Sequence, residues 1–141
     1  MSTTGKVRAL MVLLGMALAA GAQDVLIVAN RGVSASQISE AQLRDVFIGV
    51  RSRLNDGTRV APVLLKGGPV HEVFLRKHIG DSPEEFRAHW RKAVFTGQGS
   101  MPKEFRSQGE LLDYVEATPG AIGYVSHLNP KNSVKVLSVS P

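Results

Sequence analysis

Arg59-Val60-Ala61-Pro62-Val63-Leu64-Leu65-Lys66-Gly67-Gly68-Pro69-Val70-His71-Glu72-Val73-Phe74 is the stretch on which the fold turns. Its first part is an apolar run with β-formers, the pattern of a largely buried strand. Lys66 ends the run. Gly67 and Gly68 permit a turn that other residues resist. Pro69 suits the first position of a helix, because the N–H it lacks has no intrahelical partner there. Val70, Val73 and Phe74 fall at helical spacing and give that helix an apolar face. A strand, a glycine turn and a helix start in succession expose backbone N–H groups at the positive end of a helix dipole. With the lysine charge beside them, this is the chemistry of an anion site. A tight strand-to-helix connection with a solvated lysine accounts for the same residues.

Upstream, residues 24–30 form a continuous apolar run, as in a strand covered on both faces. A polar loop follows over residues 31–36. Arg31, Ser34 and Ser36 in it could offer donors to an oxyanion, because ligands of open α/β sheets sit at the carboxyl ends of strands. Ser39 opens a helix, with Gln42 three residues on as a capping box and Leu43, Val46, Phe47 and Val50 as its buried stripe. Gly49 ends it, and an Asn55-Asp56-Gly57 turn leads into the strand quoted above.

Downstream, the Pro69 helix runs to about His78, with Gly80 past its end. Ser82 and Pro83 start another helix, with Phe86, His89, Trp90, Ala93 and Val94 on its apolar stripe. His89 there reads as a core-edge histidine bonded to a carbonyl. Residues 96–102 make a second glycine-rich loop, in which Gln98 and Ser100 could complete a site. Ser107 with Glu110 caps a further helix faced by Leu111, Leu112 and Val115. Residues 121–125 and 134–139 are two last strands. The order is strand, helix, strand, three helices, strand, strand. That alternation predicts a single α/β domain with a mixed, mostly parallel sheet and flanking helices.

The first residues read as a secretory signal. Lys6 and Arg8 precede a 12-residue apolar run, Ala9 to Ala20, too short to span a bilayer. Ala20-Gly21-Ala22 is a small-x-small cleavage site. Residues 1–22 are therefore expected to be removed, leaving one domain over 23–141 that is exported to a periplasm or secreted. The chain has no cysteine. Disulfides, thiol chemistry and cysteine metal sites are excluded. Without Lys6 and Arg8 the charge is 15 basic against 12 acidic residues, or +3. That excess is too small and too scattered for a nucleic-acid surface. The four histidines include no pair at i, i+4 spacing, so no metal or other cofactor is called for. No nucleophile elbow, Walker loop or dinucleotide fingerprint is present, and no side chain stands out as a catalytic base.

Three segments together carry a family resemblance. They are Leu43-Arg44-Asp45-Val46-Phe47-Ile48-Gly49 with the following Asp56-Gly57 and strand, Val94-Phe95-Thr96-Gly97 after the Trp90 helix, and Thr118-Pro119-Gly120-Ala121-Ile122-Gly123-Tyr124-Val125. In this order they resemble the substrate-binding proteins of phosphate ABC transporters, of the type 2 periplasmic binding protein fold. The resemblance implies one lobe of that fold and an exported protein that binds a small oxyanion, phosphate first, and is not an enzyme. In such a protein Lys66 would supply charge and Gly67 and Gly68 would supply N–H groups, with Arg31, Ser34, Ser36, Gln98 and Ser100 as rim donors if their loops converge. The family follows its basic residue with a Ser-Gly-Thr-like turn. Here Gly67-Gly68-Pro69 stands instead, without hydroxyls and with one N–H fewer. The family has two lobes, whereas 119 residues supply about one, so a homodimer could complete a cleft. The alternative is an envelope interaction module that keeps the fold and docks on a transporter or porin component. A hydrolase of phosphorylated substrates ranks third.

Overall fold

The computed structural model describes residues 24–141. The predicted signal peptide lies outside the described residues. Six strands form one sheet in the order β2-β6-β1-β5-β3-β4. They are β1 (Leu26–Ala29), β2 (Gln37–Ser39), β3 (Ala61–Leu65), β4 (Lys103–Phe105), β5 (Ala121–Val125) and β6 (Lys135–Ser140). The helices are α1 (Glu40–Phe47), α2 (Pro69–Phe74), α3 (Pro83–Phe95) and α4 (Gln108–Ala117). A π-helical turn, Leu75–Ile79, continues α2 until Gly80 ends it in the left-handed region. The mixed, mostly parallel α/β sheet expected from the alternation is present. Among the described residues no helix is long and apolar enough to cross a membrane.

The sheet has one dissenting strand. β1 runs antiparallel to both neighbours, β5 and β6, and the remaining pairs are parallel. The edges β2 and β4 have three residues each, too short for any periodicity to announce them in sequence. β4 also separates α3 from α4, so the expected run of three helices is interrupted.

Side-chain alternation along β5 sorts the helices into layers. Gly123 faces α4, where an added Cβ would lie 2.9 Å from Leu111 and 3.0 Å from Val63 of β3. Tyr124, next along, faces the opposite side, and its ring stacks on Phe74 at 3.9 Å between centroids. Phe47 of α1 packs edge-on against Phe74 at 4.8 Å. The Trp90 indole of α3 donates to the Phe47 carbonyl (2.8 Å). One face thus carries α4 and the other carries α1, α2 and α3. Burying the aromatic and aliphatic side chains between these layers is the main favourable term, at about 1.5–3 kcal/mol for each large apolar side chain.

Local signals explain most helix ends. Ser82 and Glu85 close a complete capping box at the start of α3. Ser39 caps α1 by accepting the Gln42 N–H (3.1 Å). The Gln42 side chain does not close that box. Its carbonyl oxygen accepts the Asn55 N–H (3.0 Å) and pins the loop before β3 instead. His89 does not sit in the core: it is exposed, 3.2 Å from Asp81 Oδ2, an ion-pair distance without hydrogen-bond alignment. Val50 and Val94 also leave their predicted stripes and lie exposed.

β3 and β5 pair only at Ala61↔Ala121 and Pro62↔Ile122. Beyond that point a side chain replaces the ladder. The Leu65 N–H donates to the Tyr124 hydroxyl oxygen (3.0 Å). That hydroxyl lies 2.5 Å from His71 Nδ1. With no other acceptor recorded for it, the hydroxyl proton goes to Nδ1, which fixes His71 as the neutral Nε2–H tautomer. Burial holds the His71 pKa down, and Arg87 adds to this against the pull of Glu72. Burial also pushes the Tyr124 hydroxyl well above the usual tyrosine range.

Three outcomes follow. Gly120 has φ +80° and an added Cβ would lie 2.7 Å from the Arg59 carbonyl oxygen, so Gly120→Ala should lower unfolding stability by about 1–3 kcal/mol in urea titration. Tyr124→Phe leaves the Leu65 N–H without a partner and should cost about 1–3 kcal/mol by the same measurement. The folded pKa of His71 is below its unfolded value of 6.5, so the unfolded chain takes up that proton first as pH falls. His71 therefore lowers stability as pH drops through and below 6.5, and His71→Gln should show a shallower loss as pH falls across that value.

Candidate functional site

The carboxyl end of β3 delivers Lys66 and the Gly67-Gly68 turn to one edge of the sheet. Gly68 has φ +94°, a conformation that favours glycine, and both glycines face open space. No hydrogen bond is recorded for the N–H of Gly67 or Gly68 among the described residues. Beside this turn lies a cavity of about 410 Å3. Leu64, Phe86 and Trp90 line its apolar side with Pro83 and Met101. Lys66, His71, Arg87 and Glu104 supply its polar groups.

Each polar group has a structural origin. Lys66 is the first residue past β3, and its own N–H donates to the Phe105 carbonyl (2.9 Å). His71 is buried, with Nδ1 committed to Tyr124, so Nε2–H is the ring donor left for the cavity. Arg87 follows Phe86 on α3. Glu104 pairs with Leu64 in the β3–β4 ladder and so shares its face of the sheet. Lys103 and Phe105 alternate to the other face, where both meet Tyr114 of α4. Lys66, Arg87 and Glu104 are exposed, and none enters an ion pair among the described residues. Two free cations, a neutral imidazole N–H and free backbone N–H groups can bind a negatively charged oxygen. No cluster of three or more His, Asp or Glu groups among the described residues suits a metal ion.

The donors expected to converge fall into three groups. Lys66, Gly67 and Gly68 stand together at this edge, and of the three Lys66 lines the cavity. Gln98 and Ser100 belong to the loop that supplies Met101 to the cavity, but both side chains are exposed and neither lines it. Arg31, Ser34 and Ser36 lie at the opposite edge. Because β1 is antiparallel, its carboxyl end meets the starts of β3 and β5: the Asn30 N–H donates to the Ala121 carbonyl (2.9 Å). There Arg31 donates to Ser133 (2.5 Å) and Ser34 donates to Asp56 (3.0 Å). The Ser36 carbonyl accepts the Ser138 N–H (3.0 Å). These three residues are therefore not rim donors to a ligand at Lys66. The rule that placed them holds for strands running with the sheet, and β1 runs against it.

Arg87, Glu104 and the role of His71 carry no local signal in the sequence. Arg87 sits beside a visible apolar stripe, and Glu104 lies on a strand of three residues. His71 follows the glycine turn closely, but its partner Tyr124 is 53 positions away.

Among protein-family models none matches the chain, and among curated proteins none does. Solved structures do match. One, from Clostridium perfringens, is assigned as a phosphate ABC transporter substrate-binding protein with bound phosphate; it has a TM-score of 0.62 at 16% identity, over 83% of this chain and 45% of its own. PstS from Borrelia burgdorferi has a TM-score of 0.59 at 18% identity, over 83% and 47%. An ABC-type phosphate transport receptor from Vibrio cholerae has a TM-score of 0.54 at 14% identity, over 83% and 46%. This chain spans just under half the length of each. At these identities the likeness establishes the fold, and the chain carries an α/β lobe of the kind found in those substrate-binding proteins.

Proposed function

We propose that this chain is an exported binding protein for a small oxyanion, a phosphate group foremost, and that it works by binding without turnover. The observation that supports this reading is the gathering of Lys66, Arg87 and the His71 ring donor around one cavity, next to the free N–H groups of Gly67 and Gly68. Lys66 and Arg87 supply charge. The glycine N–H groups and His71 Nε2–H supply directed bonds to oxygen. Gln98 and Ser100 are close enough in the chain to Met101 to join the rim when a ligand is bound. The fold it shares with phosphate-binding proteins points the same way.

A second reading has its own support. Phe95 is 89% exposed at the end of α3, and Val94 and Val50 are exposed as well. Exposed large apolar side chains of this kind suit a docking face, as expected of an envelope interaction module that binds a transporter or porin component.

Calorimetric titration of the purified protein with phosphate and then sulfate, at low salt, separates the two. The anion reading expects saturable heat. Lys66→Ala and Arg87→Ala should each weaken binding about 5- to 20-fold, or roughly 1–2 kcal/mol, a modest loss because both side chains are in solvent. No heat with either anion at about millimolar concentration, and none with an organic phosphate, rejects the anion reading and favours the docking face.

A further inference from the structure

We infer that the ligand of this cavity presents its oxyanion on an organic group, as a phosphate monoester or a phosphonate does, and that bare inorganic phosphate is the poorer ligand. The inference rests on the oxyanion reading above and names the substrate class. Volume is the first reason. The cavity holds about 410 Å3. That lies within the roughly 300–1,000 Å3 of pockets for organic ligands, so an organic group has room beside the oxyanion.

The wall is the second reason. Leu64, Phe86, Trp90 and Met101 give the cavity a continuous apolar side. The Trp90 indole N–H is already spent on the Phe47 carbonyl, so the ring offers no donor to an anion. A bare phosphate against this wall loses hydration and gains nothing there. An organic substituent packs against Leu64, Phe86 and Trp90, which are already buried, and covers the exposed Met101.

Glu104 is the third reason. Its carboxylate lines the same cavity as Lys66 and Arg87 and has no ion-pair partner among the described residues. Against a free phosphate dianion it is repulsive. A substituent that separates the oxyanion from Glu104, or offers it a hydroxyl or ammonium, removes that penalty.

The test compares inorganic phosphate with phenyl phosphate on the full chain, by calorimetry and by the emission of Trp90, the one tryptophan in the sequence. Phenyl phosphate should bind at least about tenfold tighter and change the Trp90 emission. Met101→Ser should narrow that preference several-fold, and Glu104→Gln should raise the affinity for inorganic phosphate. Equal affinity for the two ligands, or tighter inorganic phosphate, overturns the organic-ligand inference and leaves the oxyanion reading standing. Binding of neither overturns the oxyanion reading itself. Phenol serves as the uncharged control: if it binds as well as phenyl phosphate, the oxyanion plays no part and both inferences fall.

Discussion

The Tyr124 hydroxyl holds the working end of this molecule together. β3 and β5 share a ladder for only two residue pairs, and Pro62, in the second, has no N–H to give. Past that point the strands need another link, and Tyr124 supplies it by accepting the Leu65 N–H (3.0 Å). The same hydroxyl fixes the tautomer of His71, so one buried oxygen ties the end of β3 to α2. Burial keeps it un-ionised, and the low interior dielectric makes a lost partner expensive. Phe74 stacked on the ring leaves it little freedom to tilt. The position of Lys66, one residue past Leu65, follows from this bond as much as from the sheet.

The reversed first strand decides which loops can cooperate. With β1 parallel, Arg31 and Lys66 would share an edge, and the donors read from the sequence would have met. With β1 antiparallel, its following loop goes to the far edge and is absorbed in local contacts with Asp56, Ser133 and β6. Apolar runs such as 24–30 carry no information on strand direction, because both faces are buried in either orientation. Direction comes from connectivity and pairing, which are tertiary. The class of fold could be read from alternation and caps, and the partner of each strand could not.

The candidate site divides along the same line. Lys66, Gly67 and Gly68 were legible because their chemistry is local: a strand end, a turn with positive φ and a helix start occupy consecutive residues. Arg87 and Glu104 were hidden because only tertiary packing brings α3 and β4 beside β3. Glu104 reaches the cavity through register alone, by pairing with Leu64, while its neighbours Lys103 and Phe105 turn to Tyr114 on the other face. On the proposed reading, Arg87 of α3 and the His71 ring N–H stand in for the hydroxyls that the Gly67-Gly68-Pro69 turn lacks.

How such a site could hold anything is a question of screening. The chain covers just under half of each solved structure it matches, and Lys66, Arg87 and Glu104 all face solvent. Two unit charges 4 Å apart attract by about 1 kcal/mol in water, against about 4 kcal/mol at the effective dielectric of a partly enclosed site. An open site therefore draws little from its cations. Apolar burial is not screened: covering roughly 50 Å2 of apolar surface at about 25 cal/mol/Å2 contributes about 1.2 kcal/mol. In an enclosed cleft the charges would dominate and compact anions would be favoured. On the proposed reading, the apolar wall of this half-open cavity, with Met101 its exposed part, contributes on the same scale as the screened cations, and ligands with an apolar part gain from both.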